Sequence, residues 1–478
     1  MRAAGRLLRA SALALGTLAA TASAQAETLG DALVLAYRHA GLLEKNRAVL
    51  RAADENVAQA LSQLRPIVSY SANIRRTWTF PNDRTVPGQS ANGMQITPDT
   101  RIGDDANTTS TIGISAELLL WDGGATRLGT DIARESVLAT RQGLIGAEQQ
   151  VLLNAVQAYL GVRESIAFVN LRESNVELIS EQLRAARDRF EVGEVTRTDV
   201  SVAEAGLASA RSGLAAALGD LEQARANYVR FVGQLPGALA EIRNLPPLPA
   251  TLAAAQDVAR KSHPDILRAM RLVTVSELNV SQAKASFRPS ISGSANLNVA
   301  DDFEESASVG VQMSGPIYTG GRLSSLYRQA IANRDESFAD LHIATDNVLQ
   351  QVAQAWALLE VARARIEAGG LEVSAARLAF ESVQEEVRFG TRTTLDILDA
   401  EQDLQDARAN LISAQISEIN AAYQLLSGMG LMTVEHLDLP VVTYDPEAYY
   451  NAVRNAPLRE VSPQGEKLDS ILRAIGRN

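Results

Sequence analysis

The chain is 478 residues long, 46% hydrophobic and 21% charged, with a formal net charge of −11 and no cysteine. The acidic balance argues against a nucleic-acid binder. The lack of Cys excludes a disulfide framework, a thiolate metal site and an acylated Cys as a lipid anchor.

The first 26 residues read as a secretory signal peptide: Arg2, Arg6 and Arg9 precede an apolar run around Ala10–Ala20, and Ala24-Gln25-Ala26 offers a small-x-small cleavage site. Removing it takes the formal charge from −11 to about −14. The apolar run is too short for a spanning helix, and no stretch of 18 or more apolar residues follows it. If the exported chain crosses a bilayer, it does so as a β-barrel.

From Leu29 to about Leu64, apolar residues at spacings of three and four (Leu33, Ala36, Tyr37, Ala40, Leu43) predict a helix that Pro66 stops. The period then changes to two. Val68, Tyr70, Ala72, Ile74 and Trp78 alternate with Ser69, Ser71, Asn73, Arg75 and Thr77, and the alternation resumes from Ile112 to Leu120. These patterns predict strands over about 67–79 and 110–121, joined by a long polar loop from Phe80 to Thr109. Long loops of this kind face the cell exterior in outer-membrane barrels. Trp121-Asp122-Gly123-Gly124 then turns the chain, with Gly123 and Gly124 supplying the conformational freedom, into a very long helix over about 125–188.

A hairpin tip follows at about 190–199, where Gly193 ends one helix and Thr196-x-x-Asp199 opens the next as a capping box. That helix runs back to Gly233. A segment with Pro236, Pro246, Pro247 and Pro249 reads as a linker over 234–251.

The whole plan then repeats. A helix from about Leu252 is stopped by Pro289, strands follow over about 290–300 and 306–318, and Gly320 and Gly321 turn the chain at Tyr318-Thr319-Gly320-Gly321. A second long helix covers about 322–386 and carries a 4-3 repeat of Leu341, Thr345, Val348, Val352, Ala355, Leu359, Ala362 and Ile366, the seam of a coiled coil. At ~1.5 Å per residue each long helix approaches ~100 Å. A second tip lies at about 387–399, and its helix returns to Gly430. A constant shift of 197 pairs Gly193 with Gly390, Thr196 with Thr393, Asp199 with Asp396, Glu204 with Glu401 and Gly233 with Gly430. The chain is a tandem duplication, with repeats over 27–233 and 252–439 and a weakly periodic, peripheral or partly disordered tail over 440–478.

Capping alone accounts for Asp199 and Asp396. It does not account for Asp399, which lies on the face of Asp396 and stands where the first copy has Val202. Any one strand of this kind also fits a half-buried hairpin in a soluble protein. Four matched strands behind a signal peptide, with Tyr70, Trp78, Trp121 and Tyr318 placed for interfacial belts, point to a membrane barrel. Four strands cannot enclose a lumen, so copies must assemble. Three would give a 12-stranded barrel above a tube of long helices, narrowest where Asp396 and Asp399 of the three tips gather.

The duplicated helix–hairpin–helix plan, the W-D-G-G and Y-T-G-G turns and the run G-T-R-T-T-L-D-I-L-D-A-E from Gly390 to Glu401 resemble the TolC family of outer-membrane factors. The resemblance reaches from the mature start to about residue 440. It implies a mixed fold, membrane β-barrel plus all-α, in which a tandem-repeat protomer gives four strands to a trimeric 12-stranded outer-membrane barrel. A long periplasmic coiled-coil barrel continues it. It also implies a homotrimeric duct in outer-membrane lipid for type I secretion or small-molecule efflux, with a periplasmic adaptor and an inner-membrane pump of the ABC or RND class as partners. Asp396 and Asp399 would line the periplasmic aperture, and Arg392 would lock the tip on Thr198 and Asp199. Val387 stands where some members carry a Tyr that joins this lock.

No enzyme is expected. His39, His263, His342 and His436 are scattered without ligand spacing, and no nucleophile–base cluster or phosphate loop is present, so neither a cofactor nor a metal is implied. The rival reading is a periplasmic coiled-coil adaptor or scaffold, which would need no lipid-facing strands.

Overall fold

A computed structural model of the chain describes residues 26–79, 105–242, 244–300 and 304–454. The expected signal peptide, nearly all of the loop from Phe80 to Thr109 and the end of the tail lie outside the described residues. The chain divides into two units, Ala53–Val137 with Val273–Glu336 and Ala448–Asn478, and Met1–Ala52 with Leu138–Leu272 and Ser337–Glu447.

The first of these holds the strands β1 (Ile67–Thr79), β2 (Asp105–Trp121), β3 (Ser290–Ala300) and β4 (Glu305–Ser314) in one antiparallel sheet of order β1-β2-β3-β4. Its register explains the alternation in the sequence. Tyr70 faces Ile114, which faces Leu297, which faces Ala307, whereas the next row is Ser69, Ser115, Asn296 and Ser308. Each repeat thus contributes two strands whose apolar residues fall on one face and whose small polar residues fall on the other. Ser69 and Ser115 hydroxyls meet at 2.7 Å across the polar face. On the apolar face Tyr70 is 86% exposed and Val309 87% exposed. So large an apolar surface signals an interaction site or a lipid-facing surface.

Both strand-to-helix turns use paired glycines at positive φ, Gly123 and Gly124 (70° and 92°) and Gly320 and Gly321 (62° and 87°). The residue before each pair opens the helix that follows. Asp122 accepts from Gly124 N at 3.0 Å and from Thr126 N and Oγ1 at 2.6 and 2.5 Å, starting α3 (Ala125–Glu191). Thr319 Oγ1 accepts from Leu323 N at 3.5 Å, starting α7 (Arg322–Arg388). Strand β4 stops at Ser314, short of the expected residue 318, because Gly315 abuts Pro289 and Pro316 cannot donate to a ladder.

In the other unit, each helix expected ahead of the strands is two. The breaks fall between α1 (Leu29–His39) and α2 (Gly41–Ser62), and between α5 (Leu252–Ser262) and α6 (Pro264–Ala285). Ala40 and His263 are 223 residues apart, the same shift that separates Pro66 from Pro289 ahead of the long loop, and both are extended, with ψ of 102° and 126°. Pro264 forces the second break, since proline disfavours helical geometry in the residue before it; the duplication keeps the same break where Gly41 stands.

The core of this unit interleaves alanines with large aliphatic side chains such as Leu152, Leu425 and Met429, and it buries four tyrosines, Tyr37, Tyr159, Tyr228 and Tyr423. Ala155, Val156, Tyr159, Tyr228 and Val352 are fully buried. Along α7 the seam residues Val348, Val352, Ala355, Leu359 and Ala362 are all buried, so the 4-3 repeat marks the packed side of the helix. The segment read as a linker packs rather than swinging free. Leu239, Ile242, Leu245 and Leu248 lie on the core, and Glu27 N donates to Ala238 O at 2.8 Å while Ala240 N donates back to Glu27 O at 2.9 Å. Tyr228 Oη donates to the Glu27 carboxylate at 2.6 Å.

Beyond Pro440, Tyr444 and Tyr37 flank the Arg47 guanidinium at 5.4 and 5.5 Å, and Glu447 pairs with Arg141 at 3.3 Å. A short helix, α9 (Pro446–Val453), forms here despite the weak periodicity of the sequence.

Candidate functional site: the paired hairpin tips

The two tips are built by the same bonds. In the first, Gly193 N donates to Phe190 O at 3.0 Å and Glu194 N to Arg189 O at 2.9 Å; in the second, Gly390 N donates to Val387 O at 3.1 Å and Thr391 N to Glu386 O at 3.0 Å. Gly193 and Gly390 hold φ of 83° and 73°. This left-handed residue at the helix end lets the chain reverse within a few residues. The returning helices α4 (Arg197–Val232) and α8 (Thr394–Gly428) each begin with a complete capping box.

The capping boxes account for Asp199 and one oxygen of Asp396. Asp199 Oδ2 accepts from Thr196 N and Oγ1 at 2.8 and 2.7 Å, and Asp396 Oδ2 accepts from Thr393 N and Oγ1 at the same distances. Hydrogen bonds from Thr196 hold the Asp199 carboxyl below the usual carboxylate range, and those from Thr393, with Arg392 nearby, do the same for Asp396. Asp399 is exposed, three residues further along α8, and no hydrogen bond or ion pair engages it among the described residues. The sequence-level distinction between the two acids is thus reproduced in their surroundings.

Arg392 does not reach Thr198 and Asp199 within the chain. Its Nε donates to Glu386 at 3.1 Å and its Nη1 lies 3.5 Å from Asp396 Oδ1. Thr198 is exposed. What joins the hairpins here is packing, through Leu398 on the cluster that holds Ile179 and beside the Gly206 backbone, together with Arg189 Nη1 donating to Val387 O at 3.4 Å. Val387 itself packs in a cluster with Phe380, Ile397 and Leu404. No motif in the sequence marks Arg189 and Glu386, although the shift of 197 makes them equivalent positions, one basic and one acidic.

The repeat diverges at one further pair. Glu204 is exposed and bound to Arg187 at 2.7 Å, whereas Glu401 is only 2% exposed, with neither carboxylate oxygen hydrogen-bonded among the described residues. Burial pushes the Glu401 carboxyl up to about 7; Gln405 and Arg408, further along α8, offset this in part. Since the folded state holds this proton more tightly than the unfolded chain, Glu401 costs stability as pH rises from its ordinary range through about 7. Glu401→Gln is therefore expected to leave the melting temperature at pH 4 nearly unchanged and to raise stability at pH 8 by on the order of 2 kcal/mol. Parallel melting curves with the same pH dependence in both proteins would refute the assignment.

Among the described residues, no group of three or more His, Asp and Glu is placed to hold a metal ion, and no helix is long and apolar enough to cross a membrane.

A duplicated protomer with two lipid-suited strand hairpins and two long helical hairpins ending in polar tips defines the class: a membrane conduit protein rather than a catalyst. The chain belongs to the outer membrane efflux protein family, which matches residues 32–234 and 256–431. It is 37% identical to the outer membrane efflux protein BepC of Brucella suis over 97% of this chain and 98% of that one. It is 26% identical to the alkaline protease secretion protein AprF of Pseudomonas aeruginosa over 80% of each. The fold is that of the CmeC outer membrane channel of Campylobacter jejuni, with a TM-score of 0.73, 18% identity and 89% of both chains covered. The protein is thus an outer-membrane transport duct that extends into the periplasm, of a family that serves efflux and secretion, and it is not an enzyme.

Proposed function

We propose that three copies of this chain assemble into one duct whose twelve strands close a barrel in the outer membrane. The observation that supports this most directly is the four-stranded sheet, which among the described residues leaves one edge of β1 and one edge of β4 unpaired and sets an apolar face against a Ser/Asn-lined one. Unpaired edges in a bilayer are intolerable, and four strands are too few to surround a lumen, so closure requires β4 of one copy to pair with β1 of the next. The polar rows then line a water-filled interior and the apolar rows meet lipid.

The duct works with a periplasmic adaptor and an inner-membrane pump of the ABC or RND class, and passes secreted polypeptides or small molecules that the pump selects. Its small polar lining supplies little chemistry for choosing among them. The periplasmic aperture is formed by Asp396 and Asp399 of the three tips, whose carboxylates attract cations. Because Arg392 is held by Glu386 and Asp396 in its own hairpin, its lock on Thr198 and Asp199 is completed between copies rather than within one.

Single-channel recording of the purified protein in a planar bilayer tests the reading. Discrete openings, blocked by a multivalent cation from the tip side alone, are expected. A folded preparation that never inserts would overturn it. Arg392→Ser is expected to raise resting conductance severalfold without changing melting temperature, because its partners are exposed or half-buried at the surface and surface pairs contribute little to stability. Unchanged conductance would remove Arg392 from the lock.

A further inference from the structure

Where α6 ends and α7 begins, Lys284, Phe287, Arg288 and Tyr327 line an open groove of about 410 Å³. The two rings meet edge to face, with centroids 6.5 Å apart and planes at 81°, and Phe287 remains 44% exposed. Arg288 is oriented by donating from Nη1 to Gly123 O at 2.9 Å, which leaves the rest of its guanidinium fork unused. Among the described residues, no carboxylate forms an ion pair with Lys284 or Arg288. The groove therefore offers two positive groups and an aromatic wall, and the tip site makes no use of any of them.

Its place along the chain determines what it meets. Strand β3 starts at Ser290, two residues after Arg288. At roughly 3.3 Å per residue the Arg288 backbone sits about 7 Å from the first residues of the lipid-facing strand, a distance comparable to the headgroup layer on one side of a bilayer. Between the last strand and α7, Ile317 and Tyr318 are also almost wholly exposed.

We infer that this groove binds the phosphate of a phospholipid headgroup in the periplasmic leaflet, with Lys284 and Arg288 holding the phosphate and Phe287 and Tyr327 flanking the start of the acyl chains. The inference rests on the reading of the sheet as lipid-facing. A bound lipid at this position fixes the depth of the barrel at the level where the strands give way to helices, and basic side chains with aromatic neighbours suit that interface.

The test is native mass spectrometry of the full assembled protein in detergent, titrated with phosphatidylglycerol, comparing the wild type with Lys284→Gln and with Lys284→Gln/Arg288→Gln. Lys284 is exposed and in no ion pair among the described residues, so the single variant isolates the charge. At least a threefold loss of lipid occupancy in the single variant and about tenfold in the double are expected, with single-channel conductance unchanged in both. Equal lipid retention in all three proteins overturns the inference, as does full displacement of the lipid by millimolar inorganic phosphate, which would mark a free-anion site. Loss of assembly in the single variant also overturns it, because the groove would then be covered by a neighbouring copy. Loss of conductance in the wild type would instead tell against the duct reading itself.

Discussion

Asp399→Asn weakens block of the channel by a trivalent cation at the tip side by at least about tenfold, while Asp396→Asn alone weakens it less and lowers the stability of the tip. The asymmetry follows from their surroundings. Asp396 spends one oxygen on the capping box of α8 and faces Arg392 with the other, so much of its charge is already answered. Asp399 is exposed and without such partners among the described residues. In the proposed trimer each copy would contribute one Asp399, and a single charge at roughly 5 Å is worth about 1–3 kcal/mol for effective dielectric constants between 80 and 20. Summed over three copies, its removal dominates the affinity for the blocking ion. Block constants from single-channel records at fixed ionic strength decide the matter, since exposed charges are screened by salt. If Asp396→Asn proves the more damaging to block and Asp399→Asn is silent, the aperture is lined differently from the arrangement proposed here.

Gly430→Ala destabilises the protein by roughly 3–5 kcal/mol, the sum of a left-handed backbone cost and a steric clash. Gly430 follows α8 at φ 78°, where Gly430 N donates to Ser427 O at 2.9 Å and Leu431 N to Leu426 O at 3.0 Å. A Cβ there would lie 2.6 Å from His263 Cα and 2.7 Å from Ser262 O, backbone atoms of the break between α5 and α6 that have no rotamer to change. Its repeat equivalent, Gly233, has φ 96°, and a Cβ there would lie 2.5 Å from His39 Cγ and 3.0 Å from His39 Cβ; a change of χ1 moves the ring but not the Cβ, so this clash is relieved only in part, whereas the one at Gly430 is with backbone. Gly390, at φ 73°, faces open space within its own chain. The expected order of loss in thermal or denaturant unfolding is Gly430→Ala, then Gly233→Ala, then Gly390→Ala at about 1 kcal/mol. Equal effects at all three positions would mean that backbone conformation alone governs them and that the close approach at Gly430 relaxes freely.

Much of the architecture was legible in one dimension because it is periodic or local. The alternation of Val68, Tyr70 and Ala72 with Ser69, Ser71 and Asn73 specifies two unlike faces before any pairing is known, since side chains alternate along every strand. The capping boxes at Thr196 and Thr393 involve residues three apart, and the paired glycines carry their own backbone preference, so both are decided locally. The duplication shows in the constant shift between copies. Other features were settled only where elements met. The helix break at Ala40 has no proline to announce it and is recognisable chiefly as the counterpart of the break at His263. Glu204 and Glu401 hold the same place in their repeats, yet one is exposed beside Arg187 and the other is buried, because a repeat preserves sequence position but not which helix packs over it. Arg392 has acidic residues within reach in its own hairpin, and proximity in the fold gave it Glu386 and Asp396 rather than Thr198 and Asp199. Local pattern determines which face of an element is apolar and where the chain turns; which particular side chains end up in contact depends on distances between elements far apart in sequence, and only the folded chain sets those.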